Sequence, residues 1–284
     1  MKTLPPLNLA EWLLAFDFDG TLSSPEMSPS VPREFFNSIR ALRESHQAFW
    51  GINTGRSLMQ TLEGIHEAAF PFFPDYIIAR EREIYTPNGF GRWLPVKVWN
   101  KDCDKAHKKL FRKHRRLLKS IRSWIEKETA TVWGEQEGEP AGMEASSVEE
   151  MNAIVVRLKQ ETAEAENLSF QRNGVYLRFS HESYHKGSAL AEVGRLMEIA
   201  PERTFAIGDS FNDLDMLDRS IANSLACPAN ADMEVKEQIS RQDGYIASAN
   251  AGLGAIEALN SIFSISQKNT GGGNRTRTSE ETGF

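Results

Sequence analysis

Two carboxylates, Asp17 and Asp19, lie two positions apart at the end of the short apolar run 12–16. The run is typical of a buried strand, and Gly20 indicates that the chain turns directly after it. Two acids at a strand end are costly to bury unless something binds them. A divalent cation together with a phosphoryl group in transfer would do so. The pair therefore suggests phosphoryl chemistry.

Three further polar clusters stand at comparable places in the chain. Thr54 and Gly55 directly follow the apolar run 48–53, Lys186 opens a helical stretch, and the segment 208–213 follows the apolar run 204–207. In a parallel α/β sheet, ligands bind beyond the carboxyl ends of the strands. We therefore expect these clusters to converge on Asp17 and Asp19.

The elements that must position these clusters alternate between strand and helix signals. Strands are predicted at 13–18, 48–53, 76–79 and 204–207, with helices at 32–45, 57–69 and 186–199 between them. This order predicts an α/β fold, a Rossmann-like, doubly wound parallel sheet. Further strands are expected near 220–225 and 244–247, a helix starting at 212–218, and a last helix at 253–263.

The middle of the chain has a different pattern and reads as an inserted α+β domain. It contains a stretch, 101–127, that is dense in Lys and Arg with apolar residues at helical spacing, and a helix at 148–164. Short strands are expected at 129–133 and 174–179. We assign 1–96 and 180–266 to the core domain, 97–179 to the insertion, and 267–284 to a disordered tail.

Bulk properties narrow the class of protein. The chain has 284 residues and a net charge of -6, which argues against a nucleic-acid binder. No apolar run is long enough to span a membrane, and no secretory signal is recognised. Two distant cysteines favour a reducing, cytoplasmic location. The basic stretch could be a solvated helix face, a surface that attracts a phosphorylated substrate or, less well supported, a nucleic-acid contact.

The motifs together resemble the haloacid dehalogenase superfamily of aspartate-nucleophile phosphatases. The resemblance rests on Asp17-Phe18-Asp19-Gly20-Thr21, on Thr54-Gly55-Arg56-Ser57, on Lys186, and on Gly208-Asp209-Ser210 with Asn212-Asp213. The insertion resembles the C2-type cap of this superfamily, type IIB. Within that group the chain is similar to the sucrose-phosphate phosphatase branch.

The resemblance implies a role for each motif. Asp17 would be the nucleophile that forms an aspartyl-phosphate, and Asp19 the general acid and base. The implied phosphate-binding residues are Thr54, Gly55, Lys186 and Asn212. The implied cofactor is Mg²⁺, held by Asp17, Asp19 through its backbone carbonyl, Asp209 and Asp213. Arg56 could be either a salt-bridge partner or a phosphate contact.

The implied function is hydrolysis of a phosphate monoester of a small metabolite, with a sugar phosphate as the leading substrate. The alternatives are another phosphorylated metabolite, such as mannosyl-phosphoglycerate or a nucleotide-derived phosphate, and a catalytically silent sugar-phosphate-binding module. The cap lacks the Lys-containing strand motif of sucrose-phosphate phosphatases. Trp133, Glu135 and Glu137 are candidate sugar contacts there, although Trp133 could equally be cap core. The sequence leaves open whether the protein is a monomer or a dimer.

Overall fold

The computed structural model describes residues 10–136 and 139–264. The strands in this part of the chain are β1 (Trp12–Phe16), β2 (Ala48–Asn53), β3 (Tyr76–Ala79), β4 (Glu83–Pro87), β5 (Trp93–Pro95), β6 (Val132–Gln136), β7 (Glu139–Glu144), β8 (Leu168–Asn173), β9 (Tyr176–His181), β10 (Thr204–Ile207), β11 (Ser224–Cys227) and β12 (Tyr245–Ile246). The helices are α1 (Arg33–His46), α2 (Leu58–Glu67), α3 (Lys97–Lys113), α4 (Arg115–Glu128), α5 (Val148–Glu161), α6 (Lys186–Met197), α7 (Met233–Arg241) and α8 (Ala251–Phe263).

The larger of two sheets has the strand order β12-β11-β10-β1-β2-β3-β4-β5. All neighbours from β12 to β3 are parallel, whereas β4 and β5 add an antiparallel edge. The predicted doubly wound parallel sheet is therefore confirmed. Because β1 lies between β2 and β10, the loops after these three strands open at the same edge of the sheet.

Helices cover both faces of this sheet. On one face, Phe16 of β1 and Trp50 of β2 are fully buried against Phe35 of α1, with edge-to-face ring contacts. On the other face, Leu13 of β1 packs with Leu190 of α6. Each fully buried side chain of this size contributes roughly 1.5–3 kcal/mol. The strand that carries the two acids is thus fixed from both sides.

The smaller sheet, formed within the insertion, is antiparallel with the order β6-β7-β9-β8. Met143 of β7 and Phe179 of β9 point into an apolar layer that includes residues of α4 and α5. Neighbouring positions alternate between faces, so Glu144 and Arg178 lie on the opposite face. We refer to residues 97–179 as the cap. Its limits stay a prediction, as does the disordered tail, which lies outside the described residues.

Several element predictions are corrected. The basic stretch forms two helices, α3 and α4, because His114, with φ -98° and ψ 16°, leaves the helical conformation between them. The helix expected from Asn212 is only a 3₁₀ turn, Phe211–Asp213, since Asp213 turns back to cap its start. The antiparallel strands β4 and β5, the cap strands β7 and β8 and the helix α7 were not predicted.

Candidate active site

The loop after β1 holds Asp17 at the edge of the sheet, where only 4% of the residue is exposed. The backbone N–H of Asp17 donates to the carbonyl oxygen of Ile207 at 3.0 Å, which ties the loop to β10. Gly20 has a φ of +79°, and a Cβ there would lie 2.4 Å from Oδ2 of Asp209. Glycine is therefore needed at this position for the left-handed turn and for the approach of Asp209.

Lys186 is buried, which is rare for a lysine unless it is paired. It opens α6, whose first turn is capped reciprocally by His185 and Ser188. Its Nζ donates to Oδ1 of Asp17 at 2.6 Å and to Oδ1 of Asp213 at 2.5 Å. Burial lowers the pKa of Lys186, but the two carboxylates outweigh burial and raise it above its ordinary value. The ammonium group therefore stays charged and fixes Asp17.

The loop after β10 brings two more carboxylates to Asp17. Oδ2 of Asp213 accepts hydrogen bonds from the backbone N–H groups of Asp209 and Ser210, both at 2.9 Å. The hydroxyl of Thr21 donates to Oδ1 of Asp209 at 2.6 Å. Carboxylate oxygens of Asp17, Asp209 and Asp213 all lie within 4.8 Å of one another. The structure thus brings together residues 188 positions apart in the sequence.

These carboxylates carry more negative charge than Lys186 balances. Burial raises the pKa of Asp17 well above its usual range, with the charges of Asp213 and Asp209 adding to the effect and Lys186 opposing it. Burial and the charge of Asp213 raise the pKa of Asp209 to about 7. A hard divalent cation would offset this repulsion, and oxygen donors are the ligands that Mg²⁺ prefers. The residues present therefore fit Mg²⁺.

Thr54 and Gly55 lie at the carboxyl end of β2, and both line the same cavity as Asp17. The backbone N–H of Thr54 donates to the carbonyl oxygen of Ile78 at 2.9 Å, which fixes the loop to β3. The hydroxyl of Thr54 accepts from the N–H of Arg56 at 3.2 Å. The loop therefore presents a buried hydroxyl and a glycine backbone beside Asp17.

Arg56 forms a two-point ion pair with Asp19. Its Nε and Nη2 donate to the two carboxylate oxygens at 2.8 and 2.6 Å, and its guanidinium lies 4.9 Å from the ring centroid of Phe18. The Asp19 side chain is 45% exposed and lines the cavity. Of the two alternatives for Arg56, the structure shows the salt bridge.

Asn212 is placed differently from the other predicted phosphate-binding residues. It is buried, and its amide Nδ2 donates to Oε1 of Glu81 at 2.7 Å. Its hydrogen bond therefore runs to the loop after β3. A contact with phosphate stays a prediction for this residue.

Two residues of the site were given no role by sequence reasoning. Glu81, in the turn after β3, is buried, and Arg178 of β9 lies 3.1 Å from its Oε1. In the sequence, Glu81 stands in the charged run Arg80-Glu81-Arg82 directly after the predicted strand 76–79, which indicates a charged turn at the mouth of the site. Arg178 carries no local signal, because its position depends on how the cap lies over the core.

A cavity of about 690 Å³ lies between the core and the cap. Its core side includes Asp17, Asp19 and Thr54, and its cap side includes Glu144 and Arg178. Trp133 packs against Phe179 in the cap core, with ring centroids 6.0 Å apart. Glu137 lies outside the described residues, and the side chain of Glu135 is not described.

Comparison with solved structures identifies proteins that share this fold. The sucrose-phosphatase from Synechocystis sp. PCC6803, solved with sucrose and phosphate, matches with a TM-score of 0.67 and 18% identity, over 89% of this chain and 98% of that one. The phosphatase BT1666 from Bacteroides thetaiotaomicron matches with a TM-score of 0.60 and 19% identity, over 92% and 98%. The subclass IIB sugar phosphatase BT4131 matches with a TM-score of 0.60 and 16% identity, over 89% and 100%.

Comparison with curated protein sequences found no match. Within the described residues, no helix combines the length and apolar character that crossing a membrane requires. A sequence profile for haloacid dehalogenase-like hydrolases matches residues 65–251, more than half of the chain. The resemblance inferred from the motifs is therefore confirmed, and the chain belongs to the haloacid dehalogenase-like hydrolase family.

Proposed function

We propose that this protein is a Mg²⁺-dependent phosphatase that hydrolyses a phosphate monoester of a small, uncharged polyhydroxylated metabolite. The observation that carries the proposal is the buried lysine. Lys186 is bonded to Asp17 and Asp213, and Asp209 lies within 4.8 Å of both carboxylates. Such a cluster suits charge neutralisation around a phosphoryl group, which is most of what phosphoryl transfer needs.

Asp17 is the proposed nucleophile. Its carboxylate oxygen would form a bond to phosphorus while the bond to the leaving alcohol breaks, giving an aspartyl-phosphate. Asp19 in its protonated form would give a proton to the departing oxygen. Its carboxylate would then take a proton from the attacking water, whose oxygen bonds to phosphorus as the bond to Asp17 breaks and phosphate is released. Because Arg56 holds both carboxylate oxygens of Asp19, the incoming substrate must displace one of these hydrogen bonds before the proton can move.

Asp17, Asp209 and Asp213 would hold Mg²⁺, which when bound supplies positive charge next to the phosphoryl oxygens. Lys186 would keep the nucleophile oriented, since its ammonium is bonded to Asp17 from the buried side. Thr54 and Gly55 would hold the phosphoryl group through a hydroxyl and backbone N–H groups. The family resemblance implies the same roles, and adds the backbone carbonyl of Asp19 as a metal ligand and Asn212 as a phosphate contact.

The outer cavity favours an uncharged polyhydroxylated leaving group. Its polar lining consists largely of carboxylates, amides and one phenol, namely Gln60, Glu63, Glu67, Glu144, Gln171, Asn173 and Tyr176. These groups can accept or donate hydrogen bonds to sugar hydroxyls. The three glutamates would repel a second anionic group on the substrate. Sugar phosphates are therefore favoured over mannosyl-phosphoglycerate or a nucleotide.

Similarity in fold to a sucrose-phosphatase that binds sucrose and phosphate supports a sugar phosphate. A silent binding module is disfavoured, because such a module has no need for a buried nucleophile held by a lysine.

The test of the chemistry is release of phosphate from p-nitrophenyl phosphate with Mg²⁺ present. We expect Asp17→Asn to lower kcat by at least about 10³-fold, because the nucleophile is lost, with little change in melting temperature. Chelation by EDTA should abolish wild-type activity. Near-native turnover by the variant, or full activity in EDTA, would reject the mechanism.

The test of the substrate class uses three sugar phosphates that differ in the charge of the leaving group. We expect kcat/KM for 6-phosphogluconate to be about fivefold lower than for glucosamine 6-phosphate and for glucose 6-phosphate. This factor is the equivalent of roughly 1 kcal/mol, as for one repulsive pair near the surface. Glu63→Gln with Glu67→Gln should reduce this difference, whereas Glu149→Gln, in a cap helix, should not. Equal or faster hydrolysis of 6-phosphogluconate would reject selection against an anionic leaving group.

A further inference from the structure

Arg178 is a cap residue that reaches the loop proposed to bind phosphate. It lies on β9, on the face of the cap sheet that lines the cavity, and its side chain is only 20% exposed. Its Nη2 donates to the carbonyl oxygen of Gly55 at 3.0 Å. The cap thus places a permanent positive charge next to Thr54 and within the cavity that contains Asp17.

The guanidinium of Arg178 lies very close to the backbone of Gly55. A Cβ at position 55 would lie 2.6 Å from Nη2 of Arg178 and 3.4 Å from Oε1 of Glu81. The backbone of Gly55 is not in the left-handed region, so its conformation does not demand glycine. A side chain at position 55 would therefore require the guanidinium of Arg178 to move away from this loop.

Glu81 holds Arg178 from the core side. Its Oε1 lies 3.1 Å from Nη2 of Arg178 and accepts from Nδ2 of Asn212 at 2.7 Å. Glu81 and the preceding Arg80 have φ values of 65° and 50°, a backbone region that residues other than glycine rarely adopt. The loop after β3 thus adopts a disfavoured conformation that places a buried carboxylate between the cap and the loop after β10.

The balance of charges at the site indicates what Arg178 could bind. Three cations of the site are each paired with a carboxylate: Lys186 with Asp17 and Asp213, Arg56 with Asp19, and Arg178 with Glu81. A phosphate monoester adds negative charge beside several acids, and its transfer depends on neutralising that charge. A guanidinium has five N–H donors arranged in a fork, so Arg178 can keep its bond to Gly55 while donating to a phosphoryl oxygen.

We propose that Arg178 is a further phosphate-contacting residue, delivered to the active site by the cap, and that Glu81 is the positioning residue that holds it there. This inference rests on the proposed phosphatase function. It adds that the phosphoryl group is bound from both domains. The site for phosphate is therefore complete only while the cap lies over the core.

The experiment compares Arg178→Gln, Arg178→Lys and Glu81→Gln with the wild-type protein. The measurements are kcat and KM for p-nitrophenyl phosphate, and binding of inorganic phosphate with Mg²⁺ present by calorimetry. We expect Arg178→Gln to lower kcat/KM by about 10²-fold, as for other donors to a developing charge, and to weaken phosphate binding by about tenfold. Arg178→Lys should keep part of both. Glu81→Gln should act mainly through Arg178, and so add little in the Arg178→Gln background.

The matched control is Arg172→Gln. Arg172 is a cap arginine on β8 that donates hydrogen bonds to Asn152 and to the carbonyl oxygen of Gly174. Its substitution should leave both kcat/KM and phosphate binding within twofold of wild type. If Arg178 only holds the cap against the core, Arg178→Gln should lower the melting temperature and leave phosphate binding unchanged. That result would overturn the proposal. If Arg178→Gln does not fold, an Arg178→Lys variant with wild-type kinetics and phosphate binding would overturn it equally.

Failure of the proposed function gives a different result. A wild-type protein that hydrolyses no phosphate monoester rejects the phosphatase, whereas an active wild type with an equally active Arg178→Gln rejects only this inference. If the wild type hydrolyses no phosphate monoester, phosphate binding that depends on Arg178 in the calorimeter still supports the contact.

Discussion

At the scale of single residues, the site stores electrostatic repulsion that a cation can relieve. Asp17, Asp209 and Asp213 are buried beside one another with a single lysine between two of them. Taking carboxylates out of water is costly, and like charges at this distance add to the cost. As a consequence, the pKa of both Asp17 and Asp209 is raised, so that their carboxyl groups hold protons more strongly than usual.

The pKa of Asp209 leads to a prediction about pH. Its value of about 7 in the folded protein is above the ordinary value of about 3.9. Protonation of Asp209 therefore stabilises the metal-free folded state fully below about pH 4, and this contribution is lost as the pH rises through about 7. Because Mg²⁺ competes with that proton, we expect the increase in melting temperature caused by Mg²⁺ to grow from pH 5 to pH 8.

The measurement is thermal unfolding with Mg²⁺ or EDTA across this range. Asp209→Asn is the control, since it removes the titrating carboxyl group and should flatten the pH dependence of the metal-free protein. An increase caused by Mg²⁺ that is the same at pH 5 and pH 8 would contradict the assignment.

At the scale of elements, the position of Lys186 depends on how closely α6 approaches the loop after β10. Gly187 is the point of contact, and a Cβ there would lie 2.2 Å from the carbonyl oxygen of Asp215. That neighbour is backbone, so the helix or the loop would have to move. The small size of Gly187 thus allows Lys186 to lie within hydrogen-bond distance of Asp17 and Asp213.

Gly187→Ala should therefore lower both stability and activity. We expect a loss of about 1–3 kcal/mol in the free energy of unfolding, the usual range for overpacking, and a lower kcat because Lys186 moves away from Asp17. Urea denaturation and phosphate release measure the two effects. Gly89→Ala, where a Cβ would meet nothing within 4 Å, should be neutral. Equal behaviour of the two variants would contradict the close-contact argument.

The sequence predicted the elements that bury continuous apolar runs better than the others. β2, β3 and β10 begin and end where expected, because every one of their residues is buried. β5 is three residues long, ends in a proline and is partly exposed, so no periodicity marked it. In the basic stretch, apolar residues continue at helical spacing through His114, so the pattern does not reveal the break between α3 and α4.

The same contrast holds for the site. Asp17, Thr54, Lys186 and Asp209 each follow a strand or open a helix, and parallel-sheet topology alone brings such positions together. The contact of Arg178 with Glu81 depends instead on the placement of the cap. No local pattern encodes that placement, and no spacing rule links a residue of β9 to a turn after β3.

At the scale of the whole molecule, positive charge is concentrated in the two helices α3 and α4. The segment 97–128 contains 12 Lys and Arg but only 4 Asp and Glu, although the whole chain is acidic. Ile121 and Ile125 of α4 pack in the apolar layer of the cap sheet, on the face opposite to the cavity. The cap sheet therefore lies between α4 and the active site.

This arrangement predicts that the basic residues of α4 do not guide the substrate. The triple change Arg115→Gln, Arg116→Gln and Lys119→Gln should alter kcat/KM by less than about twofold at 0.15 M salt. At that ionic strength charges are screened over about 8 Å, and sheet packing alone spans about 10 Å. The comparison is made at 0.02 and 0.15 M salt. A tenfold loss that is largest at low salt would instead support electrostatic steering by this surface.

The central place of β1 also has a consequence for synthesis. One edge of β1 pairs with β2, which follows closely, but the other edge pairs with β10, and the contact of Thr21 with Asp209 spans 188 positions. A ribosome that adds about 5–20 residues per second needs roughly 10–40 s to cover that distance. Throughout this time the nascent chain carries Asp17, the proposed nucleophile, at the end of a strand with one open edge, which can pair with other chains. The first motif to be translated is thus among the last to be enclosed.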